Sequence, residues 1–501
     1  MKSRHLIPAA LAALLTLSAV TACESGASAP ETTNAGNADT APAAAEAAEE
    51  AVRHYTDELA PVDYNGAEFK IYTTNYVNGW TNNSLLSYAE EENGEVINDA
   101  LVARDRYMED TFNVKLVYEL DPDGNTGTQT GRIKKSVTAG DDSFHMILLD
   151  LGSVCAGVSK QGMLYPLDYV GGIDLKADYW MPKVNDSCRI GNSLYFVSCA
   201  ISPRYYGSVY VVMFNRDMAK ELDLDNMYDL VANDQWTLDR MFDMAKLAAR
   251  DLNGDGKMDP SDQLGAMYGS QEGYVLAGGF NFVANQNGKL VCSLDDAKTV
   301  NYMQKLADCF QTYGVFYEGH PSIDYEGVIN NGTALFFNPC TCDLTDYREL
   351  PYDIGILPIP KMSEEQDGYI AFSQPWINVT PMVPITVSGD ALAMTGTLTN
   401  AMAAYGYDYV RPACFDNVIC LKGTRDAESA RIVEKMFENV TFDLAINLGI
   451  SSVNSITRSY LASDLGKQDI VSLYAAQKSK VDAELQSIMA TYAANEAEIL
   501  G

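Results

Sequence analysis

The sequence predicts an α/β protein on three observations. Short runs with strand character alternate with longer stretches of helical period. One run, His145-Met146-Ile147-Leu148-Leu149, is apolar almost throughout, as expected of a parallel strand covered on both faces. The 501 residues are 47% apolar and 10% aromatic, enough for a large packed core.

The elements follow in order. Phe69-Lys70-Ile71-Tyr72-Thr73 alternates as a first strand, and a Gly/Asn-rich loop carrying Trp80, Asn82 and Asn83 comes after it. A helix fits residues 97–112, with Ile97, Leu101, Tyr107 and Met108 at apolar positions. Val114-Lys115-Leu116-Val117-Tyr118 is a second strand and residues 145–149 a third. Residues 208–214 read as a further strand. Thr237 then caps a helix that lines Leu238, Met241, Phe242, Ala245 and Ala249 along one face. Helical period continues over 297–313, 427–448 and 472–500. Trp180 and Trp236 are expected in the core.

The N-terminus has the order of an export signal. Lys2 and Arg4 precede a short Ala/Leu-rich run, and small residues lead up to Cys23. The cysteine after Val20-Thr21-Ala22 makes residues 1–22 resemble a bacterial lipoprotein signal, which implies that Cys23 is lipidated and becomes the new N-terminus. Residues 23–61 are small, acidic and Pro-containing, and read as a flexible tether. The body is then expected outside the cell, anchored by lipid to the face of the membrane.

The formal net charge is −33. So acidic a surface repels phosphate backbones and sets nucleic acid aside as a partner. No later stretch is apolar for the roughly 20 residues that a membrane-spanning helix needs. There are ten cysteines. With Cys23 set aside an odd number remains, so at least one cannot pair within the chain, and the scatter suits small buried hydrophobes.

Three blocks together resemble the extracellular solute-binding proteins of ABC importers, in particular the carbohydrate-binding, maltose-binding-protein-like family. The first is Phe144-His145-Met146-Ile147-Leu148-Leu149-Asp150 followed by Gly162-Met163-Leu164-Tyr165-Pro166-Leu167-Asp168. The second is Val211-Val212-Met213-Phe214-Asn215-Arg216-Asp217 followed by Gln235-Trp236-Thr237-Leu238-Asp239. The third is Gly332-Thr333-Ala334-Leu335-Phe336-Phe337 followed by Tyr352-Asp353-Ile354-Gly355-Ile356-Leu357-Pro358-Ile359-Pro360-Lys361. The resemblance implies a two-lobed fold of the periplasmic-binding-protein type, with a hinge between discontinuous lobes. Residues 62–200 with 376–412 would form one lobe and 201–375 with 413–501 the other, with the chain crossing near 197–206 and 372–378. It further implies a monomeric receptor that closes on a carbohydrate, of oligosaccharide size, and delivers it to the permease subunits of an ABC transporter.

Sugars need flat apolar faces to stack on and fixed polar groups for their hydroxyls, and open α/β sheets bind ligands at the carboxyl ends of strands. These criteria select Trp80 and Asn82 on the loop after the first strand, and Asp150 at the end of the third. They also select Arg204, Tyr205 and Tyr206 at the first crossing, Asn338 after the strand 335–337, and Trp376 beside Gln374 at the second crossing. Tyr205 and Tyr206 are equally consistent with core packing. Arg204 suits a ligand carboxylate or an acidic neighbour.

The sharpest local motif is residues 251–262, DLNGDGKMDPSD. Asp251, Asn253 and Asp255 fall on the first side-chain ligand positions of an EF-hand-like loop, and Gly256 on its turn. Lys257 would offer its carbonyl, and Asp259 and Asp262 occupy the last positions, with Asp262 where Glu is usual. Hard oxygen donors favour a structural Ca²⁺. The sequence has no H-E-x-x-H, G-x-S-x-G or G-x-x-x-x-G-K-[ST] motif, so a non-catalytic binding protein is expected. The alternative is a surface hydrolase or lyase that uses paired carboxylates.

Overall fold

The computed structural model describes residues 54–75, 85–259, 261–317, 324–458, 460–461 and 469–500. Cys23, the signal, the tether up to residue 53, Trp80 and Asn82 lie outside the described residues.

Two sheets organise the body, and the fold is mixed α/β as expected. The first has four strands in the order Val379–Met382, Met146–Asp150, Ala67–Thr74, Val114–Asp121. Ala67–Thr74 is parallel to both of its neighbours, with Ala67 opposite Val114 and Ile71 opposite Met146. Val379–Met382 joins antiparallel, with Val379 opposite Asp150. This sheet therefore takes its edge strand from a segment far along the chain. Residues 146–149 are fully buried, as their unbroken apolar run requires.

The second sheet has five strands in the order Ile354–Leu357, Val212–Asn215, Ala334–Phe337, Leu264–Tyr268, Val315–Tyr317. Val212–Asn215 runs antiparallel to both of its neighbours, and the last three strands are mutually parallel. Of the strand expected over 208–214 only Val212, Met213 and Phe214 lie in this sheet, where the strand runs on to Asn215. Val209 and Tyr210 instead bridge to Ser373 and Cys340.

Helix boundaries follow capping chemistry. Val96–Phe112 buries Ile97, Leu101, Met108 and Phe112 and stops at Asn113, which is left-handed at φ 45°. Thr237 caps Leu238–Ala248 by accepting from the Arg240 N–H. Its buried face includes Met244 and Ala248 and not Ala249, where the backbone has turned extended. The helix expected over 297–313 ends at Phe310, ahead of Gly314 at φ +79°. The helix expected over 427–448 breaks in two. Ala427–Met436 gives way to a short strand, Val440–Thr441, which pairs with Ala371–Phe372. Asp443 then caps Leu444–Asn447 by accepting from the Ile446 N–H at 3.1 Å. The apolar spacing runs on through the break, so period alone hid it.

Residues 54–58, assigned to the tether on sequence, are docked. The covered carboxylate of Asp408 accepts from the backbone N–H of Tyr55 and Thr56 and from the Thr56 hydroxyl. The last helix, Ile470–Leu500, touches both halves of the fold. Lys478 pairs with Asp295 at 3.8 Å beside the hairpin strand Lys289–Cys292. Tyr492 donates to Ser159 at 2.8 Å, and Asn495 to the Leu164 carbonyl at 2.7 Å. Trp180 and Trp236 are fully buried, and the nine described cysteines are all free thiols.

Candidate ligand site at the chain crossings

The two chain crossings are tied together. Ser208 and Ser373 share a hydrogen bond at 2.7 Å, and the Gln374 N–H donates to the Ser208 carbonyl at 2.7 Å. Asn378 donates to Ser198 at 2.7 Å, and Tyr210 N–H to the Phe372 carbonyl at 3.2 Å. The carboxyl ends of both sheets abut this joint. Asp150 faces Val379, the first residue beyond the second crossing. Past the strand Ala334–Phe337, Pro339 accepts from the Val211 N–H and Cys340 bridges Tyr210.

Asp150 ends its strand and caps the π-helical turn Leu151–Cys155, accepting from the Ser153 N–H at 2.6 Å. Leu151 and Gly152 N–H groups donate to the carbonyls of Asn378 and Pro375, which lays the second crossing on this turn. A Cβ at Gly152 would sit 2.9 Å from the Pro375 Cβ, so glycine is what lets the two backbones meet. Burial raises the Asp150 carboxyl above the ordinary range, opposed by the Ser153 hydrogen bond and the charge of Arg204.

Arg204 opens the short helix Arg204–Gly207, and its Nε donates to the Ile377 carbonyl at 3.0 Å. Burial lowers its pKa, and Asp150 partly offsets this. Tyr205 and Tyr206 are buried under the joint. Tyr205 meets Phe437 edge-on at 5.7 Å, and Tyr206 packs on Phe415 at 5.6 Å. Of the two readings open for these tyrosines, the structure favours core packing. Trp376 is half-buried against the core. Asn338 is buried, and its Oδ1 accepts from the Gly269 N–H at 2.6 Å.

Three further polar groups border the crossings: Gln374 stood beside Trp376 among the sequence candidates, whereas Gln271 and Asp343 were not selected from sequence. Gln374 Nε2 donates to the Tyr210 hydroxyl at 2.7 Å. Gln271 begins the helix Gln271–Ala277, just past the carboxyl end of Leu264–Tyr268, and its Nε2 has no partner. The strand-end rule that selected Asp150 would have found Gln271 had 264–268 been read as a strand. Asp343, pushed up to about 6 by burial, accepts from the Cys340 N–H at 3.0 Å.

The acidic loop is curled by its own side chains. Asp251 accepts from the Gly254 and Gly256 N–H groups, Asn253 from Asp255 and Asp255 from Lys257. Asp262 is fully buried and accepts from Leu252 and Asp259 N–H groups at 2.9 Å each. Among the described residues no three His, Cys, Asp or Glu side chains are gathered closely enough to hold a metal ion. A carboxylate oxygen that accepts one N–H keeps a second lone pair, so the residue types fit Ca²⁺ if the acids draw inward.

No protein-family profile and no curated protein matches the sequence. Solved structures do match in fold. An ABC substrate-binding protein of Listeria monocytogenes, in complex with cycloalternan, superposes with a TM-score of 0.51 at 11% identity, over 85% of this chain and 99% of that one. The cyclic α-maltosyl-1,6-maltose binding protein of Arthrobacter globiformis gives 0.51 at 14%, over 85% and 99%. UgpB of Mycobacterium tuberculosis, in complex with glycerophosphocholine, gives 0.52 at 13%, over 80% and 98%. The fold is that of the ABC-transporter solute-binding proteins. The two sheets of this fold are joined at the tied crossings. Among the described residues no helix is long and apolar enough to cross a membrane.

Proposed function

We propose that this protein is a lipid-anchored extracellular receptor that captures a carbohydrate between its lobes and hands it to an ABC importer, without catalysis. The observation that carries the reading is the meeting of both sheets' carboxyl ends at one hydrogen-bonded pair of crossings. Ligands of open α/β sheets bind at such edges, and hinge closure would trap them. Two of the structural neighbours above are bound to, or named for, cyclic saccharides, which supports a sugar as the cargo. Lipidation of Cys23 would hold the receptor at the membrane, and the acidic loop would bind a structural Ca²⁺ that clamps residues 251–262.

Thermal unfolding against mono- and oligosaccharides tests the reading, because a ligand that binds only the native state raises the midpoint. A shift with one sugar class, with the sugar recovered intact, supports the receptor. Recovery of cleaved sugar would instead favour a glycosidase working through paired carboxylates.

A further inference from the structure

Three cations are buried among the described residues: Arg104, Arg204 and Lys361. Two are fully engaged. Arg104 pairs with Asp105 at 2.7 Å and donates to the Ile201 and Ser87 carbonyls and the Tyr118 hydroxyl. Lys361 pairs with Asp234 and donates to the carbonyls of Glu364 and Gln366.

Arg204 differs. Its only side-chain hydrogen bond among the described residues runs from Nε to Ile377, so both η nitrogens lack an acceptor. Asp150 feels its charge but forms no ion pair with it. A buried charge without a direct counter-ion is costly, and proteins retain one where something else supplies the opposite charge. The residue keeps 8% of its surface accessible, at the crossings where both sheets end.

With Nε spent on a carbonyl, the two η nitrogens form the end-on fork that matches a carboxylate in two parallel hydrogen bonds. A second group has the same polarity. The Gly269 N–H fixes Asn338 Oδ1, which turns Nδ2 the other way, buried and without a partner. The two η nitrogens match the two oxygens of one carboxylate, a pairing that a single hydroxyl oxygen cannot fill.

We propose that the cargo is an acidic saccharide whose carboxylate is bound by Arg204. This rests on the receptor reading above and narrows it. The strongly acidic body would repel such a ligand at long range, so a desolvated guanidinium at the hinge is what makes its capture favourable.

The test is calorimetric titration of the protein with di- to tetrasaccharides of galacturonate or glucuronate, beside their neutral counterparts and a sugar phosphate. The uronate should bind at least tenfold tighter than its neutral counterpart. Arg204→Gln should bring that ratio to about one. Asp150→Asn, which can still cap its turn, should tighten uronate binding severalfold by removing a competing carboxylate. Neutral sugars binding as tightly, with a ratio unmoved by Arg204→Gln, would overturn the proposal and leave the receptor intact. Preference for the sugar phosphate over the uronate would overturn the carboxylate assignment. Binding of no saccharide of any kind would remove both readings.

Discussion

The hydroxyls of Ser208 and Ser373, both fully buried, lie 2.7 Å apart and join the two crossings side chain to side chain. Ser208 also donates to the Tyr205 carbonyl at 2.6 Å, so Ser373 is left as the donor of the pair. Ser373→Ala should cost about 1–2 kcal/mol, the range for a buried hydrogen bond whose partner stays behind. Urea melts would read this, and an unchanged midpoint would show that the joint does not depend on the bond.

Gly152→Ala drives a methyl into Pro375. The second crossing must shift, so the substitution should cost about 1–3 kcal/mol, as overpacking does. It should also weaken ligand binding, because the displaced crossing carries Trp376 and Ile377, whose carbonyl holds Arg204. Stability and affinity both at wild-type values would contradict this account of the joint.

Asp443 is fully buried, and burial pushes it up to about 6 despite its backbone donors. A carboxyl raised in the folded state takes up a proton on folding. Its contribution is full below the unfolded value near 4 and is lost as pH rises through about 6. His145 opposes this, since burial lowers its pKa and its protonation destabilises the fold as pH falls below about 6.5. The clean readout is therefore a difference. Between pH 5 and 7 the stability of Asp443→Asn should fall less with rising pH than wild type, and parallel curves would refute the assignment.

The C-terminal helix is anchored on the first half by Tyr492, whose ring meets that of Tyr195 at a tilt, 4.4 Å between centroids, and whose hydroxyl donates to Ser159. Tyr492→Ala should cost about 3–5 kcal/mol, in line with deletion of a buried aromatic side chain. A loss below about 1 kcal/mol in denaturant melts would mean the helix is not docked there.

Chelation tests the acidic loop. Removing calcium should lower the melting midpoint, and Asp255→Ala should abolish that dependence. Asp255 is the apt choice because its oxygens serve one loop N–H, whereas Asp262 is buried and holds the loop closed on itself.

Much of the fold was legible in the sequence. Met146–Asp150 showed itself through an unbroken apolar run, and Thr237 through its place before a helical face. Leu264–Tyr268 and the break at Val440–Thr441 did not, because a short apolar strand and a helical turn have the same composition when the partner strand is remote. Around the crossings, the strand-end rule selected Asp150 and Asn338, and the structure puts both at the ends of strands. Gln271 was missed with its strand, and the lack of a counter-ion for Arg204 among the described residues is a three-dimensional fact that no spacing encodes. Tyr205 and Tyr206 stayed open on sequence because an aromatic at a crossing fits a cleft or a core equally well.

The most direct test of the central claim is a calorimetric titration of the protein with oligosaccharides, followed by chromatography of the recovered sugar. Saturable binding of one sugar class with the sugar unchanged is the predicted result. Cleaved sugar, or no binding across neutral and acidic saccharides, would contradict a carbohydrate receptor.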